Sequence, residues 1–375
     1  MKIVFTGGGS GGHFYPIIAI ADQIIDLTEK NKLVGAELYY MAPNPYDEQA
    51  LSKDEIIYKR IPAGKMRRYF SIGNFFDLFV TATGILKAMW SIYSIFPDVV
   101  VGKGGYGSFP VLFAAKFFGI PVIIHESDSK PGKVNQWAGK FAKKIAISYP
   151  EAAQYFPKEK VALTGNPLRK EITKSIEHGA RQFLEMELDT PVILILGGSQ
   201  GAKRINETIV DALPKLLEKY QIIHQVGSKN IDDIKNMISV VLENHPNKSR
   251  YRPFGYLNEE ALRMSAGAAD LVISRAGSTI FEIAAWGKPS IVIPIPEEIS
   301  HDQHKNAFTY ARSGAAEVLE EINLSPNLLL AEIDKILNNP EKKEHMQKAA
   351  KGFARLDAAE KIALEIVNIA LQHEG

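Results

Sequence analysis

The sequence has no cysteine, almost no net charge and no long uncharged apolar run, and each absence closes a class of function. Without cysteine among its 375 residues the chain has no disulfide scaffold, thiol nucleophile or thiolate metal site. With 44 Lys+Arg against 43 Asp+Glu, it lacks the basic excess with which nucleic-acid binders neutralise phosphates, and no nucleic acid is expected as a partner. No window of 18 uncharged apolar residues occurs. The nearest approach, Ile72–Phe96, is broken by Asp77 and Lys87. The opening MKIVFT starts as a strand rather than as a charged, then apolar leader, so a cytoplasmic protein is expected.

What remains is ordinary globular composition, 46% hydrophobic and 23% charged, at a length that suggests two domains. Short β-rich runs at Lys2–Thr6, Glu37–Ala42, Val99–Val101, Val122–His125, Lys144–Ile147 and Lys160–Leu163 alternate with helical patterns such as Phe14–Leu27. After Gly165-Asn166-Pro167 the pattern restarts with Val192–Leu196, Ile222–Gln225, Leu271–Ser274 and Ser290–Pro294. Such alternation predicts an α/β fold of two doubly wound parallel sheets, each covered by helices on both faces. The expected domains are 1–165 and 166–348, with a helical tail over 349–375 that packs on either.

Divided at Gly165, the near-neutral sum separates. Residues 1–165 carry 19 Lys+Arg and 14 Asp+Glu, while the remainder carries 25 and 29. The basic excess includes Lys65, Arg67 and Arg68, followed by the aromatics Phe75, Phe76 and Phe79. Basic residues beside aromatics fit an anionic lipid surface. A core helix entered through a solvated turn is the plainer reading, since helix faces of this kind usually pack inward.

Four glycine-rich turns follow strands and open helices: Gly7–Gly12, Gly102–Ser108, Gly197–Gly201 and Arg275–Thr279. Glycine lets the backbone approach a ligand closely, and the helix that follows aims unpaired N–H groups at an anion. Gly7, Gly9 and Gly12 satisfy a dinucleotide fingerprint, but the second strand runs into Pro43-Asn44 instead of the acidic residue that holds a ribose. None of the four ends as the Gly-Lys-Ser/Thr phosphate loop does. Four such turns suggest phosphate-bearing ligands held by both domains.

The motifs, in order, resemble the MurG-type enzymes of glycosyltransferase family 28. They are Gly-Gly-Gly-Ser-Gly-Gly-His at 7–13, Gly104-Gly105-Tyr106, His125-Glu126, Gly165-Asn166-Pro167-Leu168-Arg169, Gly197–Ala202, Ser274-Arg275-Ala276-Gly277 and Gln303-His304-Lys305-Asn306-Ala307. The resemblance implies a GT-B fold, two Rossmann-like domains facing across a cleft, with the helical tail over 349–375 crossing back to the first. It implies inverting transfer of GlcNAc from UDP-GlcNAc to the MurNAc 4-hydroxyl of undecaprenyl-pyrophosphoryl-MurNAc-pentapeptide, at the cytoplasmic face of the membrane and without a cofactor. By the same resemblance Ser10, Gly11, Gly12, Asp128, Arg169, Ser199, Leu257, Glu282 and Gln303 would meet the donor. Gly9, Gly104, Gly105 and Tyr106 would meet the acceptor diphosphate, and Lys65, Arg67, Arg68, Phe75, Phe76 and Phe79 the membrane. This chain departs from the family at His125-Glu126-Ser127-Asp128, where the family commonly has Asn at the last place.

The transfer needs a base for the acceptor hydroxyl, and His13 and Glu126 are the candidates. An imidazole titrates near neutrality, and a carboxylate at a sheet's carboxyl edge can have its pKa raised by burial. His13 is favoured as base, with Glu126 orienting it or sharing the role. The leaving diphosphate would be stabilised by helix N-termini and Arg169 rather than by a metal. Rival readings on the same architecture are a UDP-sugar-dependent diacylglycerol glycosyltransferase, a UDP-GlcNAc epimerase and a non-catalytic nucleotide-sugar sensor.

Overall fold

The computed structural model describes residues 1–31, 35–65, 73–197, 202–297 and 301–373. The chain divides into two compact units, Met1–Arg169 with Arg355–Gly375, and Lys170–Ala354.

The first unit is built on seven parallel strands: β1 (Lys2–Thr6), β2 (Glu37–Ala42), β3 (Ile57–Arg60), β4 (Val99–Gly102), β5 (Val122–Glu126), β6 (Lys144–Ile147) and β7 (Val161–Leu163). Their spatial order is β3-β2-β1-β4-β5-β6-β7. The centres of β1, β4 and β5 (Ile3–Phe5, Val99–Val101 and Val122–Ile124) are apolar and buried on both faces, as a helix-covered parallel sheet requires. The helices are α1 (Gly11–Lys30), α2 (Glu48–Lys53), α3 (Gly73–Ile95), α4 (Phe109–Phe117) and α5 (Lys133–Gly139). Ile17, Ile20 and Ile24 of α1 fill one core layer, and Val111, Leu112, Ile92 and Ala138 fill the other.

The second unit carries six parallel strands: β8 (Val192–Leu196), β9 (Gln221–Gln225), β10 (Tyr251–Phe254), β11 (Leu271–Ser274), β12 (Ser290–Val292) and β13 (Ala316–Val318). They are ordered β10-β9-β8-β11-β12-β13. Its helices are α6 (Ala180–Phe183), α7 (Lys203–Lys219), α8 (Ile231–Val241), α9 (Glu259–Ala268), α10 (Thr279–Trp286), α11 (His301–Arg312), α12 (Pro326–Leu337) and α13 (Pro340–Phe353). The last helix, α14 (Ala358–His373), packs on α1 of the first unit through Ile362, Ile366 and Val367. The helical tail read from the sequence is therefore two helices. It breaks where Ala354 turns extended (φ −66°, ψ 132°).

In each sheet the strand order reverses beside the first strand, between β1 and β4 and between β8 and β11. At such a switch point the loops leaving the strands' carboxyl ends part and open a crevice. All four glycine-rich turns leave these four strands.

The reading of Ile72–Phe96 as a core helix fails for α3. Phe75, Phe76, Leu78, Phe79, Leu86 and Trp90 are each 58–72% exposed. Over residues 75–95 only a stripe of Gly84, Ala88, Ser91, Ile92 and Ile95 is buried. Gly84 is required there, because a β-carbon would stand 1.8 Å from the Pro62 carbonyl oxygen. Over Phe75–Ile95 the helix is long and apolar enough to cross a membrane, with 28% of that stretch buried.

Candidate active site

In the first unit the turns after β1 and β4 meet backbone to backbone. A β-carbon on Gly8 would lie 2.8 Å from Gly105 Cα, and one on Gly105, whose φ is +78°, would lie 2.7 Å from Gly8 Cα. Only glycine at both positions allows this approach. Ser10 caps α1 in extended conformation, but its hydroxyl turns to His13, with Oγ and Nδ1 2.8 Å apart. That leaves the other ring nitrogen of His13 beside Gly105. The Tyr106 hydroxyl closes over Gly9, and the Arg169 guanidinium lies 4.3 Å above the Tyr15 ring.

Beneath the loops lies a buried charged cluster from the ends of β4 and β5. The Lys103 ammonium, 2% exposed, donates to Ser127 Oγ at 2.8 Å. Glu126, 4% exposed, accepts from the Asp128 and Gly132 amides at 3.0 and 3.2 Å and from Asn135 Nδ2 at 2.9 Å. Asn135 Nδ2 also donates to the His125 carbonyl, and the His125 ring is hydrogen-bonded to the Gly165 carbonyl at 3.0 Å. The Gly165-Asn166-Pro167 turn is thereby tied to β5.

The cluster divides the two candidate bases by environment. Burial, with the nearby Lys103 charge, lowers His13 to about 4, so its imidazole is neutral at pH 7. Burial, with the Asp128 charge, pushes Glu126 up to about 7 against the opposing pull of its hydrogen bonds and Lys103. Burial also lowers Lys103 to about 8, with Glu126 and Asp128 opposing. His13 is half-buried and open to a ligand, whereas both Glu126 oxygens are occupied. Because folded Glu126 holds its proton more tightly than the unfolded chain does, stability falls as pH rises between about 4.5 and 7. Glu126→Gln is expected to flatten that decline by up to about one proton in slope. Urea unfolding across this window checks it, and an unchanged slope would contradict the raised carboxyl.

In the second unit Glu282 lies in the first turn of α10, half-buried, behind the turn that starts at Arg275. Arg275 is ion-paired with Glu321 and donates to the Ile293 and Pro294 carbonyls, so it fixes the loop after β12. Gln303 accepts from the Ile295 amide at 3.4 Å, and its Nε2 faces Gly277. These contacts bring Gln303 to Gly277 in the turn that follows β11 and opens α10, the helix that carries Glu282. Leu257 is buried, and its amide donates to Gln225 Oε1 at 3.1 Å. His304, beside Gln303, is hydrogen-bonded to Glu320 at 2.9 Å.

Unit one thus brings together Gly9, Ser10, Gly11, Gly12, His13, Gly104, Gly105, Tyr106, Glu126, Asp128 and Arg169. Unit two holds Leu257, Glu282 and Gln303. Ser199, Arg67 and Arg68 lie outside the described residues, and Lys65 is exposed. Lys103 and Asn135 escaped the sequence reading. A lysine inside a glycine turn straight after Val99-Val100-Val101 was the available signal.

The chain is similar to known proteins over most of its length. Residues 3–147 match the glycosyltransferase family 28 N-terminal domain and residues 192–362 the family 28 C-terminal domain. The chain is 41% identical over 342 residues to the UDP-N-acetylglucosamine–N-acetylmuramyl-(pentapeptide) pyrophosphoryl-undecaprenol N-acetylglucosamine transferase 3 of Bacillus thuringiensis (strain Al Hakam), covering 91% of this chain and 92% of that one. The crystal structure of Acinetobacter baumannii MurG superposes with a TM-score of 0.72 at 26% identity, covering 98% and 99% of the two chains. The UDP-GlcNAc 2-epimerase of Neisseria meningitidis superposes at 0.70, covering 98% and 100%, but at 17% identity it shares the fold alone. The chain has the GT-B fold and belongs to glycosyltransferase family 28.

Proposed function

We propose that this enzyme transfers GlcNAc from UDP-GlcNAc to the MurNAc 4-hydroxyl of undecaprenyl-pyrophosphoryl-MurNAc-pentapeptide, with inversion, at the cytoplasmic face of the membrane. The observation that carries the choice of a lipid acceptor is α3, which exposes Phe75, Phe76, Phe79 and Trp90. An epimerase of a free nucleotide sugar has no use for such a surface, whereas an enzyme drawing substrate from a bilayer does. The acceptor diphosphate belongs to the paired glycine turns of the first unit, where the α1 N-terminus favours an anion. The donor belongs to the second unit, with Glu282 on the ribose, Gln303 on the sugar and the Leu257 carbonyl near the base.

In this reading the acceptor hydroxyl passes its proton to His13 as its oxygen attacks the donor's anomeric carbon from the face opposite UDP. Charge grows on the β-phosphate and is met by helix N-termini and Arg169, a role given to the protein's own groups and not to a metal. Glu126 orders the 127–135 loop rather than meeting the sugar. Product from UDP-GlcNAc (α-linked) carrying a β-linked GlcNAc by NMR supports inversion; an α-linkage overturns it.

The lipid surface is tested separately. Phe75→Ser/Phe76→Ser/Phe79→Ser is expected to cut sedimentation with anionic phospholipid vesicles by tenfold or more, since each buried phenylalanine is worth roughly 1.5–3 kcal/mol. Lys65→Gln is expected to weaken it only at low salt. Equal vesicle binding by the triple variant would remove α3 from the membrane.

A further inference from the structure

The carboxyl end of β9 has no part in the transfer as described, yet several segments of the second unit are tied to it. Gln225, the last residue of β9, is 7% exposed. Its main-chain carbonyl accepts from the Gly197 amide at 3.3 Å, where the chain leaves β8. Its side-chain Oε1 accepts from the Leu257 amide at 3.1 Å, in the loop between β10 and α9. The next carbonyl, on Val226, accepts from Asn206 Nδ2 in the first turn of α7 at 2.9 Å and from Asn230 Nδ2 at the head of α8 at 2.8 Å. His224, on the opposite face of the strand, fixes it sideways. Its ring nitrogens lie 2.9 Å from the Tyr251 hydroxyl of β10 and 3.1 Å from Asn206 Oδ1. The Leu257 side chain is buried in the core layer that holds Leu196 and Ile223.

We propose that Gln225 is a positioning residue for base selection, holding the main chain at Leu257 in register with the turn that starts at Gly197. This rests on the reading above that places Leu257 near the donor's base. A buried side chain anchors Leu257 at one point only. Without Gln225 Oε1 its amide loses its acceptor inside the protein, and the neighbouring peptide planes must turn to find another. Selection follows from the edge of the base. Uracil carries an N3–H that a main-chain carbonyl accepts, whereas cytosine has a lone pair at the same place and offers no proton there. A site built on such a bond rejects the analogue lacking it, provided the carbonyl is held to within about 0.5 Å. Both ties come from one residue, so the base loop and the exit of β8 are positioned together.

Calorimetric titration of the full chain with UDP and with CDP tests this without a lipid acceptor. Wild type is expected to prefer UDP. Gln225→Met keeps the length of the side chain but not its acceptor oxygen. It is expected to raise the UDP Kd about tenfold and to narrow the preference for UDP over CDP by about fivefold or more. Gln225→Glu keeps an acceptor for the Leu257 amide and is expected to return the preference to within about threefold of wild type. In transfer kinetics Gln225→Met raises KM for UDP-GlcNAc while kcat stays within about threefold, since no reacting group is touched. A residue that only supports the fold would lower Tm and leave the preference where it was. An unchanged preference in Gln225→Met therefore overturns the inference while the donor site stands. Should Gln225→Met fail to fold, Gln225→Glu decides: a kept preference supports the role and a lost one overturns it. A wild-type chain that binds UDP no better than CDP overturns the donor reading itself, and the inference with it.

Discussion

His13→Ala lowers kcat by about 10²–10⁴-fold while leaving UDP-GlcNAc affinity within about twofold, the effect expected of losing a general base that touches only the acceptor. The argument is positional. His13 stands at the head of α1, where the first glycine turn delivers it, and Ser10 holds one ring nitrogen at 2.8 Å. The second nitrogen lies beside Gly105, on the side where the two glycine turns meet. Burial and Lys103 keep the ring neutral at pH 7, so it is ready to accept a proton throughout the neutral range. The same lowering makes it a weak base, which implies that the proton moves late, as the hydroxyl becomes acidic on attack. His13→Ala kinetics under saturating donor check this. A variant within threefold of wild type would remove His13 from the chemistry and favour a different base.

Gly8→Ala is expected to cost about 100-fold or more in kcat, although alanine adds only one methyl and removes no polar group. That methyl would lie 2.8 Å from Gly105 Cα and 3.3 Å from its carbonyl carbon. Both are backbone atoms, so no side chain can rotate away. The turns must separate, and with them go the ligand-facing N–H groups, Tyr106 and the surroundings of His13. Overpacking of this kind costs about 1–3 kcal/mol in stability, so Tm falls as well. Gly35→Ala serves as the control, since its β-carbon meets nothing within 4 Å. Similar kcat for Gly8→Ala and wild type would show that the turns do not need their close approach.

The sequence made the central strands legible and the edges not. Strands β1, β2, β6, β8 and β11 begin and end where the β-rich runs do, because a strand covered by helices on both faces needs a largely apolar centre. The strands it missed, β3, β10 and β13, all lie at sheet edges. Ile-Tyr-Lys-Arg, Tyr-Arg-Pro-Phe and Ala-Glu-Val carry the polar residues and the proline that an edge tolerates. A similar limit applies to the site. Glycine turns announce themselves by composition, whereas the Lys103–Ser127 contact joins residues 24 apart and needs the pairing of β4 with β5 to exist. The exposure of α3 was illegible for a related reason. Its apolar residues surround the helix, so no face identified itself as the one to bury.

The charge division read from the sequence acquires a physical place in the same helix. The basic half is the half that carries α3 and Lys65, and the nearly neutral total conceals it. An anionic bilayer would meet this excess before any specific contact forms, which is why vesicle binding should weaken with salt.

The most direct measurement offers the purified enzyme radiolabelled UDP-GlcNAc with undecaprenyl-pyrophosphoryl-MurNAc-pentapeptide and, separately, with diacylglycerol, and follows the label. The account predicts label in the undecaprenyl-linked product alone, dependent on His13. Label entering diacylglycerol instead, or converted to an epimerised sugar with no lipid present, would contradict it.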